Sequence, residues 1–171
     1  IKDKNYINKI TKGVYELGYV FKTFTLAAAL DENLIEVDTK FIDLEKSIDC
    51  GKNTIREYDK KIPKDLTAEE ILIRSGNIGS VRIGQKIGVE KFKQFLTKIN
   101  LINKIEFDID EIGIPIPFKW GKCKLATTSF GHGVTTTPLQ LAKGYAIVTN
   151  GGFDVNPTII REKSEKLIKY K

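Results

Sequence analysis

Three short segments hold the side chains of this 171-residue chain that are best suited to chemistry. Lys22 closes the run Gly18-Tyr19-Val20-Phe21-Lys22 at the mouth of an apolar, helix-like stretch. Ser75-Gly76-Asn77 falls between two segments of helical pattern. Thr127-Thr128-Ser129-Phe130-Gly131-His132-Gly133 runs into Thr136-Thr137-Pro138-Leu139-Gln140-Leu141-Ala142. A lysine withdrawn from water beside other donors can lose its proton and act as a base. An imidazole exchanges protons near neutral pH. Each segment also has a plainer reading. A lysine in a first helical turn is usually surface, S-x-N is a common turn, and Gly-His-Gly is often a tight bend. His132, the only histidine, reads as a turn shaping the edge of a cleft rather than as a proton carrier. With one His and two Cys there is no zinc quartet, and no metal or cofactor is expected. Cys50 and Cys123 form no CxxC, and they read as two free buried thiols; their spacing alone does not establish a disulfide.

These residues need elements to position them, and the pattern supplies mainly helices. Val20 to Leu30 reads as a helix that starts near Gly18-Tyr19. From Lys40 to Tyr58 the pattern shortens into strand-like pieces, KFIDL, SIDC and TIREY, broken at Gly51-Lys52-Asn53. Thr67 and Glu70 have capping-box spacing at the head of LTAEEILI, a helix that should end near Ser75-Gly76-Asn77. A second helix, Ile78 to Ile87, closes at Gly88. A third, Val89 to Ile99, carries Phe92, Phe95, Leu96 and Ile99 at core spacing. Asn100 to Lys124, with Pro115, Pro117 and Trp120, reads as an irregular excursion in which Trp120 packs rather than stacks on a substrate. Thr137 followed by Pro138 caps a helix over Leu139 to Thr149 that stops at Asn150-Gly151-Gly152. The tail past Pro157 is too short to read. No repeat or linker divides the chain, so 1–171 is expected to be one unit with no separate second domain.

Composition narrows the function classes. The chain is 41% hydrophobic and 29% charged, a globular balance. No apolar run reaches the roughly 20 residues of a membrane helix. The +6 charge raises the question of nucleic acid. The lysines are scattered, however, and the densest sets, Lys60-Lys61 and Lys163 to Lys171, lie among acids or at the end of the chain. A solvated surface is the better reading, with no nucleic-acid partner. The absence of Met, including an initiator, suggests a fragment.

In order and spacing the three segments resemble the transpeptidase domain of class B penicillin-binding proteins. The segment YELGYVFKTFTLAAAL is similar to that family's Tyr-Glu-Pro-Gly-Ser-x-x-Lys motif, Ser75-Gly76-Asn77 to its S-x-N, and LATTSFGHGVTTTPLQLAKGYAIVTNGG to its later signature. Asp49 to Gly51, Ile55 to Glu57 and Lys119-Trp120 also sit where similar residues are expected. The Gly-His-Gly version looks most like the septal, cell-division branch. The resemblance implies an α/β (α+β), helix-rich fold of the penicillin-binding-protein and β-lactamase type. It also implies a parent that cross-links peptidoglycan stem peptides through an acyl-enzyme and binds β-lactam antibiotics. That parent would sit at the periplasmic face of the inner membrane, anchored there, among cell-division and wall-synthesis proteins. By resemblance Lys22 is the base, Ser75 the proton relay and Asn77 the ligand of the substrate amide. Gly76, Ser129, Gly131 and His132 line the substrate.

Two departures bear on activity. Position 19, the place of the nucleophilic Ser, is Tyr, whose phenol oxygen lies several ångströms further from the backbone, whereas such sites tolerate misplacement of about 1 Å. No Lys-Thr-Gly or Lys-Ser-Gly follows, so the third motif and the terminal sheet strands are expected to be missing. This chain should therefore be inactive. The alternative is a catalytically dead scaffold or peptide-binding module of a wall-synthesis complex.

Overall fold

The computed structural model describes residues 6–161. The lysine-rich stretch 163–171 lies outside the described residues, as does most of the tail past Pro157. The chain groups into two compact units. Residues 17–94 and 119–133 form one, which holds Lys22, Ser75-Gly76-Asn77 and Thr127 to Gly133; residues 6–16, 95–118 and 134–161 form the other.

In the motif-bearing unit a 3₁₀ turn, Gly18–Phe21, leads into α1, Lys22–Asp31. The sequence pattern places the α-helix start two residues earlier. The difference arises because Leu17 offers no side-chain cap, and Lys22 N–H turns back to the Tyr19 carbonyl, tightening the first turn. Two small antiparallel pairs follow. β1, Lys40–Phe41, pairs with β4, Leu66–Thr67, and β2, Ser47–Cys50, pairs with β3, Asn53–Arg56, with Ile48 opposite Ile55. Thr67 then caps α2, Ala68–Ile73, through the expected capping box with Glu70. α3, Asn77–Ile87, ends at Gly88, whose φ of 78° suits glycine. α4, Val89–Lys98, begins in this unit and ends in the other. The sequence reading treats Lys122–Thr128 partly as excursion, but it forms α5, a short helix.

The core of this unit lies where α3 meets α1, α2 and α5, around Phe21, Phe24, Ile71, Ile78 and Val81. Gly84 allows α5 to come close to α3, because a Cβ there would stand 1.9 Å from Ser129 Oγ. Phe92 is buried, as its spacing predicts, and Trp120 meets it edge to face with ring centroids 6.3 Å apart.

The disulfide Cys50–Cys123 corrects the reading of two free buried thiols. Cys50 ends β2 and is half-buried, whereas Cys123 is exposed near the start of α5. The tight turn at Gly51 presents the tip of the hairpin to the helix, a meeting that linear spacing cannot reveal.

In the other unit α6, Pro138–Thr149, is capped by Thr137, whose hydroxyl accepts the Gln140 N–H at 3.1 Å. Gln140 is fully buried and donates to the carbonyls of Asn100 and Asn103, at 2.7 and 2.6 Å. Lys143, also buried, reaches Asp154 at 3.0 Å. Phe95, Leu96 and Ile99 are buried in agreement with their spacing.

Candidate active site

The centre of the site is an amine–hydroxyl pair. Lys22, the first residue of α1, is 2% exposed, and its Nζ donates to Ser75 Oγ at 2.9 Å. It also donates to the Ser75 carbonyl. Burial lowers the Lys22 pKa from 10.5 to about 8, and the negative charge of Glu57 works in the opposite direction. A lysine tuned this way is still mostly charged at neutral pH, but it keeps a useful fraction of free amine for taking up a proton.

Ser75 owes its placement to the end of α2. Its N–H bonds the Leu72 carbonyl at 3.0 Å and the Gly76 N–H bonds the Ile71 carbonyl at 2.9 Å, the paired bonds of a Schellman cap. Ser75 holds the left-handed position of that cap, φ 54°, where glycine is the usual residue. The strain is worth about 1–3 kcal/mol. A hydroxyl retained at this position is therefore paid for elsewhere in the fold, here by its contact with the buried lysine.

Gly76 is the N-cap of α3 and Asn77 its first residue. Asn77 is buried, its Nδ2 donates to the Arg56 carbonyl at 2.8 Å, and its Oδ1 has no hydrogen-bond partner. Glu57, the residue after β3 and its neighbour Arg56, accepts the backbone N–H groups of Asn77 at 2.6 Å and Ile78 at 2.8 Å.

Tyr19 lies in the 3₁₀ turn, 49% exposed, and Lys22 Nζ sits 4.2 Å from the centroid of its ring. A cation over an aromatic face at this range is an attractive contact. The same turn touches the third segment. Gly131, φ 84°, lies so close to Gly18 that a Cβ would stand 1.9 Å from the Gly18 carbonyl oxygen.

The third segment divides into support and rim. Ser129 is fully buried, with its hydroxyl donating to the Leu125 carbonyl and its own carbonyl accepting from Thr25 Oγ1, both at 2.8 Å. Both of these polar groups are committed to the fold behind the site. His132 is exposed and its ring stacks nearly parallel to Phe130, 5° apart, while its N–H bonds the Thr127 carbonyl. Lys22 is thus in direct contact with both Ser75 and Tyr19, Asn77 lies two residues after Ser75, and Gly131 backs onto the turn carrying Tyr19. Glu57 was legible only as part of a local Ile-Arg-Glu run; nothing in its neighbourhood announces an acceptor for a helix 20 residues away.

A family model for the penicillin-binding protein transpeptidase domain matches residues 2–170. The chain belongs to this family. The probable peptidoglycan D,D-transpeptidase FtsI of Caulobacter vibrioides is 32% identical over 161 residues, 94% of this chain and 27% of that protein. The stage V sporulation protein D of Bacillus subtilis is 29% identical over 158 residues, 91% of this chain and 24% of that protein. The chain thus spans about a quarter of the length of these curated relatives. Among solved structures, the transpeptidase domain of Burkholderia pseudomallei penicillin-binding protein 3 superposes with a TM-score of 0.85 at 22% identity, over 95% of this chain and 50% of that one. A peptidoglycan glycosyltransferase from Burkholderia ambifaria gives 0.86 at 22%, over 96% and 53%. These likenesses establish the penicillin-binding-protein transpeptidase fold, a mixture of helix and sheet. Among the described residues no helix is long and apolar enough to cross a membrane.

Proposed function

We propose that residues 1–171 form part of one transpeptidase domain of a peptidoglycan D,D-transpeptidase, and that with Tyr at position 19 the chain does not form an acyl-enzyme. The observation that carries this reading is a lysine–serine pair with the second-motif asparagine beside it, and a tyrosine where the attacking serine would stand. In a family member with serine there, that oxygen would attack the D-Ala carbonyl of a stem peptide. Lys22 would take the serine proton, and Ser75 would pass a proton to the leaving D-Ala amine. An amine of a second stem peptide would then release the acyl group. Here the Tyr19 ring stands over Lys22 instead. Losing the nucleophile from such machinery costs around 10⁶ in turnover. The names of the relatives support peptidoglycan as substrate and β-lactams as ligands; cell-division proteins as partners and a membrane-anchored parent at the periplasmic face are part of the same proposal.

A second reading takes the Tyr19 ring over Lys22 as a blocked nucleophile position, with the same site holding a stem peptide reversibly as part of a wall-synthesis scaffold. Incubation with fluorescent penicillin, followed by denaturing electrophoresis, tests the first reading. No covalent label is expected, and labelling of the unaltered chain would refute it. Reversible binding of a D-Ala-D-Ala peptide, measured by calorimetry, would support the scaffold.

A further inference from the structure

The start of α3 has no side-chain cap of its own, since its N-cap is Gly76. Glu57 supplies one from another element. Its two carboxylate oxygens accept the N–H groups of Asn77 and Ile78, two of the donors that a helix start leaves without internal partners. The preceding residue, Arg56, accepts the Asn77 side-chain amide. Two consecutive residues at the end of β3 therefore grip Asn77 by backbone and side chain, and they leave Oδ1 as its one buried, unpartnered polar atom. The charge of the same carboxylate reaches Lys22, whose amine also stands beside the Tyr19 ring.

We infer that Glu57 is a positioning residue of the site, one that fixes Asn77 at the head of α3 and balances the ammonium of Lys22 while Lys22 holds Ser75. The role rests on the transpeptidase reading of Lys22, Ser75 and Asn77. Glu57 touches no reacting atom; it acts through those three residues.

NMR of the full chain labelled with ¹³C-lysine follows the titration of Lys22, assigned by the signal lost in Lys22→Met. Glu57→Gln keeps an acceptor for the helix start but removes the charge, so the Lys22 midpoint should move down. Glu57→Asp keeps the charge and should hold the midpoint near that of the unaltered chain. A purely structural role would lower the melting temperature in both variants and leave the midpoint in place, and that outcome overturns the proposal. The unaltered chain gives a second measurement should Glu57→Gln fail to fold. Amide exchange at Asn77 and Ile78 should be slow at neutral pH and speed up relative to Ile83 when the carboxylate is protonated. Unprotected amides at neutral pH would equally overturn it. Penicillin labelling plays no part in either readout, so failure of the transpeptidase reading would be recognised separately.

Discussion

Removing the Cys50–Cys123 bridge should destabilise this chain more than any single surface change. The bridge joins the tip of the β2–β3 hairpin to the start of α5, across a sequence separation of 73 residues. Closing a loop of that length before folding removes conformational freedom from the unfolded chain. The loop-closure relation gives about 3 kcal/mol for 15 residues and about 4.7 for 100, so this bridge corresponds to roughly 4 kcal/mol. For a chain of this size about 1 kcal/mol moves the melting temperature by roughly 2–4 °C. The double variant Cys50→Ala/Cys123→Ala should therefore melt roughly 10 °C lower, and adding a reductant to the unaltered chain should reproduce most of that drop. Circular dichroism melts of both proteins, with and without dithiothreitol, measure it. The loss should also have a local signature. β3 carries Arg56 and is followed by Glu57, so amide exchange over the hairpin should accelerate before the rest of the motif-bearing unit opens. Coincident melts, or two thiols reacting freely with Ellman's reagent in the air-oxidised chain, would refute the reasoning.

Lys22 should make stability depend on pH in a defined direction. Its folded pKa is lowered from 10.5 to about 8, so between those values the unfolded chain binds more protons than the folded one. Stability should rise with pH across that window, by about 3 kcal/mol relative to Lys22→Met, and urea unfolding of both proteins from pH 7 to 10.5 would show a flat difference if the burial argument is wrong. Lys143→Met should cost about 3–5 kcal/mol, because it removes the buried positive partner of the partly buried Asp154, and adding Asp154→Leu should recover most of that loss in a thermal melt. An unrecovered double variant would mean that the pair does more than neutralise itself.

Much of this fold is written in local punctuation. Thr67 and Glu70 announce the capping box of α2, Thr137 and Pro138 the start of α6, and Gly88 the end of α3, because each signal acts within one turn of helix. The three motif segments are equally legible, since their residue types and order survive in the linear chain. What escapes is set at a distance. β4 is two residues long and exists only because Lys40 and Phe41 lie opposite it. α5 is short and uncapped and contains Thr127 and Thr128, residues that argue weakly for helix. The disulfide and the grip of Glu57 on α3 both join residues that only the folded hairpin brings near. The burial of Ser129 belongs to the same class, because it depends on Gly84 letting two helices approach.

The backbone contact between Gly18 and Gly131 bears on how such a chain can carry tyrosine at all. The turn before Lys22 is wedged against the glycine loop, main chain to main chain, and cannot reshape itself around a larger neighbour. Tyr19 is accommodated half exposed, with its ring beside the lysine. The architecture is thus nearly indifferent to what occupies the position on which the chemistry depends. Substitution at position 19 should therefore leave the melting temperature nearly unchanged, and a chain that exchanged serine for tyrosine there would keep its shape while giving up the attacking oxygen.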